Sequence, residues 1–264
     1  MGFNISSFRQ ILAPTKMEEK EFYVHDISGT INDGASTFTF SLDDWHTISV
    51  PVDENGNWYY DVPSGTTLYT LRRAFINKTN LTSISFGPNF DTSNVTNTTS
   101  MFSSCSSLTS VDLSNLDTSS VTNMSGMFYG CENITSLDLS SFDTHNVNNM
   151  YTMFYNCKSL TSIDISSFDT SSVTNMSGMF QYCNSFTSLD LSTFRTPALT
   201  NVQLVFDSCT SLTSLNLQNW NTLGVSTLYV RFVDDVSTLR VDYTASTFNS
   251  EIVSEFPNVN WVAH

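Results

Sequence analysis

Cysteines stand at Cys105, Cys131, Cys157, Cys183 and Cys209, and every interval between them is 26 residues. Phe102, Phe128, Phe154, Phe180 and Phe206 keep the same interval, as do Leu108, Ile134, Leu160, Phe186 and Leu212. A further column runs Val95, Val121, Val147, Val173, Leu199 and Val225, with one substitution that stays apolar. So many columns in phase mean a repeated supersecondary unit. One such unit cannot bury its apolar side alone, but stacked copies share a continuous core. The chain is therefore expected to be a solenoid.

One unit can be read from Asp117 to Phe142. Asp117, Thr118 and Ser119 favour a helix start. Val121, Met124, Met127 and Phe128 then fall on one face of a short helix, and Gly130 sits where it should end. In "ITSLDLSSF", Leu137 and Leu139 alternate with polar neighbours, as a strand requires. The expected class is an α/β solenoid with one helix and one strand per unit.

The L-x-x-L-x-L spacing within the pattern "FDTSxVTNMxxMFxxCxSLTSLDLS" resembles the BspA-like bacterial surface-protein branch of the leucine-rich repeats, whose arrays also occur in phage structural proteins. The resemblance runs from about Thr66 to Tyr243. It implies a right-handed leucine-rich-repeat-like solenoid and a non-catalytic adhesion or recognition surface.

The ends depart from the pattern. Phe75, Leu81 and Ile84 precede their counterparts by 27 residues, and Lys78 takes the cysteine column. At the far end Val225, Leu228 and Phe232 continue the array, with Asp235 in that column. Such atypical units are expected of caps. Residues 247–264 are expected to add a short helix and a strand over the open end. Residues 21–65 are rich in aromatic and β-branched runs and read as a small N-terminal β domain, either a sandwich or a sheet docked on the first repeat. "DENGN" is a hairpin signal within it. Residues 1–20 read as an arm, and 66–246 as the solenoid.

The chain is 40% hydrophobic but only 13% charged, with a formal net charge of −15. That balance argues against nucleic acid, whose phosphates demand Lys and Arg. No apolar run is long enough to span a bilayer, and "MGFNISSFRQIL" lacks the features of a signal peptide.

The cysteines line up rather than converge, so they are expected to pack as buried thiols and not to hold metal or form disulfides. Met101, Met127, Met153 and Met179 read as core filling, as do Met124, Met150 and Met176. Asn97, Asn123, Asn149, Asn175 and Asn201 read as a coil-to-coil ladder. Thr92, Thr118, Thr144, Thr170, Thr196 and Thr222 read as braces before the helix. His25, His46, His145 and His264 share no column.

One pair of columns remains as the candidate ligand-binding surface. Asp112, Asp138, Asp164, Asp190 and Asn216 stand on the strands, beside Ser110, Ser136, Ser162 and Ser188. Adjacent strands lie about 4.8 Å apart, so the carboxylates repel, by about 1 kcal/mol in water. A cation such as Ca2+ or a basic ligand would relieve this. Equivalent acids in equivalent surroundings do not make an acid–base pair, so the chain is expected not to be an enzyme and to need no catalytic residue or cofactor.

The functional expectation is a recognition protein at a virion surface, as a phage head or tail fibre. Its arm would hold virion proteins, and its array would bind a host-surface or gut glycan or protein. A homo-oligomer, in particular a trimer, is expected. The alternative is an extracellular or cell-surface bacterial adhesin.

Overall fold

In the computed structural model, residues 25–43, 46–225 and 239–264 are described. In order, the elements are β1 (Ile27–Ile31), β2 (Thr37–Phe40), β3 (Ile48–Pro51), β4 (Asn57–Tyr60), β5 (Leu81–Phe86), β6 (Ser110–Asp112), β7 (Ser136–Asp138), β8 (Ser162–Asp164), β9 (Ser188–Asp190), β10 (Ser214–Leu217), β11 (Arg240–Tyr243), α1 (Ser250–Glu255) and β12 (Asn260–Ala263). From β5 to β10 each coil contributes one short strand, giving a β-solenoid of about six turns. Pairing is parallel between β5 and β6, between β7 and β8, and through β9, β10, β11 and β12.

Among the described residues, the expected helix of the repeat is absent. Residues 124–131 instead form overlapping four-residue turns: Met127 N–H donates to Met124 O, Tyr129 N–H to Gly126 O, and Cys131 N–H to Phe128 O. The intervening amides leave the coil. Met124, Gly126, Phe128 and Gly130 donate to the carbonyls of Asn149, Tyr151, Met153 and Tyr155 in the next coil, at 2.7–3.0 Å. The physical reason is pitch. Helices pack about 8–10 Å apart, whereas strands stack about 4.8 Å apart. A coil with one spacing on both sides cannot hold a helix opposite a strand, so its turn side exchanges the helical ladder for cross-coil bonds. The apolar face survives, because repeated turns still bury Val121, Met124, Met127 and Phe128.

These turns require left-handed backbone at two positions per coil. One column holds Arg73, Ser100, Gly126, Thr152, Gly178 and Leu204, and the other Asn77, Ser104, Gly130, Asn156, Tyr182 and Ser208, with φ between 50° and 69°. Only three of the twelve are glycine, and the rest carry a cost of about 1–2 kcal/mol each.

The core is a set of ladders. Phe75, Phe102, Phe128, Phe154, Phe180 and Phe206 stack with centroids 5.5–6.0 Å apart and ring planes within 17°. Phe168, Phe194 and Trp220 make a second stack at 6.2–6.3 Å. Each such pair adds about 0.5–1.5 kcal/mol beyond its burial.

The threonine column braces coils rather than helices. Thr118 Oγ1 donates to Asp143 O at 3.0 Å and accepts from Asp143 N–H at 2.9 Å. Thr92 does the same to Asp117, and Thr196 to Asn221. The asparagines also differ from expectation. Their backbones bridge coil to coil, but each Oδ1 stays in its own coil and accepts from the amide two residues on, as Asn123 does from Ser125 at 3.0 Å.

Ahead of the repeats, β1 pairs antiparallel with both β4 and β5, so the four-stranded sheet β4-β1-β5-β6 docks these strands on the first coils. The turn at Asp53–Asn57 forms, with Gly56 at φ 83°, but it does not close a hairpin: β3 pairs with β2 and β4 with β1. A side chain at Gly56 would strike Ile31 O at 2.2 Å, so the chain needs glycine there to pass β1. Lys78, in the cysteine column, donates to Thr39 Oγ1 at 3.1 Å and ties the β2–β3 pair to the first coil. In the tail, Asn249 accepts from Glu251 N–H to start α1, and β12 lies against β11. Leu228, Phe232, Asp235 and the arm, residues 1–20, lie outside the described residues. Among the described residues no helix is long and apolar enough to cross a membrane.

Candidate functional site

The strand face presents the two columns in register. Ser136 opposes Ser162 and Asp138 opposes Asp164; further on, Ser188 opposes Ser214 and Asp190 opposes Asn216. Ser110, Ser136, Ser162 and Ser188 are exposed, as are Asp112, Asp138, Asp164 and Asp190, while Asn216 is half-buried. The structure gives the acids a local role that spacing alone does not reveal. Asp138 Oδ1 accepts from Ser140 N–H at 3.0 Å and from Ser140 Oγ at 2.6 Å. Asp112 and Asp164 repeat this with Ser114 and Ser166; Asp190 accepts from Ser192 N–H, and Asn216 from Gln218 N–H. Each acid thus ends its strand with an Asx turn. The Ser140 hydroxyl, then its amide, hold Asp138 below the usual carboxylate range.

The columns reach a concavity at their first members. Ser110 and Asp112 line an open groove of about 630 Å³ with Ser28, Thr30, Ser83, Ser85, Asn57, Tyr59 and His25. Its floor is cross-linked by hydroxyls: Ser28 to Ser85 at 2.9 Å and Thr30 to Ser83 at 2.7 Å. His25 stacks on Tyr59 with centroids 3.8 Å apart and faces Asp61 at 3.2 Å. The residues from β1 and β4 are not among those the repeat columns single out, although Ser28 and Thr30 alternate with Ile27, Gly29 and Ile31. That signal marks an outward face but not which strand it will lie beside.

At the other end, Asp242 continues the acidic column opposite Asn216. Arg240 pairs with it at 2.9 Å and His264 at 2.8 Å, which together hold its carboxyl down at about 2. His46 and His145 sit beside Asp43 and Asp143 on the surface.

Among the described residues, no three His, Cys, Asp or Glu side chains are grouped to hold a metal ion. All five cysteines are free and buried. Each thiol donates to a carbonyl of the preceding coil: Cys105 to Phe75, Cys131 to Phe102, Cys157 to Phe128, Cys183 to Phe154 and Cys209 to Phe180, at 3.0–3.2 Å. Burial pushes Cys105, Cys157 and Cys209 up to about 12, and Cys131 and Cys183 well above the ordinary value. A nucleophile or ligand must be thiolate, so this column is structural.

The family described as Mycoplasma protein of unknown function, DUF285, matches residues 69–187 and again 138–245. No curated protein matches the chain.

Proposed function

The chain belongs to the DUF285 family of Mycoplasma proteins of unknown function, and from that premise we propose that it is a non-enzymatic recognition protein. Its rigid solenoid displays the Ser/Asp strand face and the groove at its start to a host-surface or gut glycan or protein. In the first reading it is a phage virion component, such as a fibre, and a homo-oligomer. In the second it is a BspA-like adhesin at a bacterial surface, which the family's bacterial description favours.

The observation that carries the reading is the disposition of the acids. Each exposed Asp spends one oxygen on its own turn and leaves the other without a protein hydrogen bond among the described residues, coil after coil. This repeats one surface; it does not place an acid and a base in contrasting environments, as hydrolysis would need.

A glycan array probed with and without calcium tests it. The quadruple variant Asp112→Asn, Asp138→Asn, Asp164→Asn and Asp190→Asn is expected to lose retention by at least tenfold. Unchanged retention removes the strand face from the proposal. Fractionation separates the two settings: the protein travels with virions in the first and with cell envelopes in the second.

A further inference from the structure

A solenoid contains its own control. What every coil needs appears in every coil, and what one flank adds was not required by the fold. Tyr129 and Tyr155 occupy a column whose other members are Ser103, Gln181 and Asp207. Tyr182 occupies the neighbouring column, otherwise Asn77, Ser104, Gly130, Asn156 and Ser208. The three tyrosines nevertheless meet on the turn side. Tyr129 and Tyr155 stack with centroids 4.5 Å apart and planes 5° apart, and Tyr182 stands edge-on to Tyr155 at 5.4 Å. Tyr129 and Tyr182 are 36% and 37% exposed, and Tyr151 on the same flank is 48% exposed.

The fold does not require them, although the Tyr129–Tyr155 stack itself adds about 0.5–1.5 kcal/mol. Tyr182 holds a left-handed φ of 62°, where a bulky side chain is disfavoured and the sister coils use Ser, Gly or Asn. The Phe ladder beneath is continuous whether its coil carries Ser103, Tyr129 or Asp207.

We infer that Tyr129, Tyr155 and Tyr182 form a stacking platform for a neutral glycan, on the flank opposite the strand columns. Size decides against a protein. A tyrosine offers about 200 Å², so the exposed fractions leave roughly 70 Å² on each of Tyr129 and Tyr182. A stable protein partner covers about 800 Å² per side. The patch matches one or two sugar rings, whose apolar C–H faces lie on aromatic rings. Ser103 in the preceding coil is too short to cover the outer face of Tyr129. The rim is polar: one of its acids is matched by a lysine and the other, Asp207, is held by a neutral amide. Glu132 is paired with Lys158 at 3.1 Å and accepts from Asn156, and Asp207 accepts from Gln181 at 2.8 Å. The amide oxygens of Asn156 and Gln181 remain to accept from sugar hydroxyls. The net charge of −15 disfavours sialylated or sulfated chains.

The inference rests on the recognition reading but not on the strand face. Its test replaces each tyrosine with what a sister coil carries: Tyr129→Ser, Tyr155→Gln and Tyr182→Asn, in the full chain. Wild type and triple variant are applied to an array of neutral gluco-, galacto- and N-acetylglucosamine oligosaccharides beside sialylated and sulfated ones. The best neutral binder is then titrated by calorimetry. Expected is neutral-glycan binding that weakens at least tenfold in the variant, with its circular dichroism spectrum at the assay temperature unchanged. The inference is overturned by variant binding within twofold of wild type, by retention confined to charged glycans, or by no retention. It is also overturned if sedimentation shows the variant dissociating an oligomer, since a second copy is then the occupant. If the Asp→Asn variant loses binding and the tyrosine variant does not, the platform fails and the recognition reading stands. If wild type binds neither array nor cell envelopes, the recognition reading itself fails.

Discussion

Replacing Thr118 with valine keeps the shape of a buried side chain and removes one oxygen. That oxygen serves both backbone groups of Asp143, donating at 3.0 Å and accepting at 2.9 Å, and among the described residues neither group has another backbone partner. Two orphaned groups cost about 1–3 kcal/mol each where water is excluded. The new methyl returns about 0.8 kcal/mol, and solvent beside the exposed Asp143 softens the loss. The net expectation is a destabilisation of about 2 kcal/mol. Thr118→Ser is the control: it keeps the hydroxyl and loses one methyl, about 1 kcal/mol. Urea unfolding of the full chain, followed by circular dichroism, gives both midpoints. The order wild type, then Ser, then Val is required. A valine variant as stable as the serine variant would mean that burial, not the double hydrogen bond, holds this column in place.

Three further outcomes follow from the same geometry. The thiols should resist Ellman's reagent at pH 8.5 in the folded protein and react fully in urea; Cys157→Ala should cost about 1 kcal/mol. A thiol at about 12 when folded, against about 8.5 unfolded, keeps its proton longer in the native state, so its contribution is complete below the unfolded value and fades as pH rises toward 12. Alkaline unfolding above about pH 9, shallower in the Cys157→Ala variant, is the expected pH scan, and a flat one contradicts it. Gly130→Ala should cost about 1 kcal/mol, because φ is 69° yet the nearest atom, Ser104 Cα, lies 3.6 Å from the added methyl. Finally, Ser140→Ala should raise the Asp138 titration midpoint in an NMR pH series.

The period of 26 makes the solenoid legible in the sequence, because phase survives substitution: Phe186 can stand for Leu160 without disturbing the column. The same columns misreport the turn side. Val121, Met124, Met127 and Phe128 sit at helical spacing, and a chain of four-residue turns buries the same positions. What separates the two is coil pitch, a property of neighbours that one unit does not display. Gly126 and Gly130 carry a clue, being two glycines four apart in a supposed helix. Their counterparts Thr152 and Asn156 hide it. The acidic column is visible as a column, but its pairing with Ser140 and Ser166 is written only in the D-x-S that follows every strand from β6 to β9. The groove depends on β1 choosing β5 across more than fifty residues, which no local pattern encodes.

Among the described residues, the cross-coil bonds from side chain to backbone within the repeats span 25 to 30 residues. Closing such a loop costs on the order of 3 kcal/mol of chain entropy, and that cost is the same for the second coil as for the sixth. Relative contact order therefore falls as coils are added. Lengthening the array by whole periods leaves the folding problem of each coil unchanged. Reach, for this architecture, can be varied in steps of one coil with no new search for the native state.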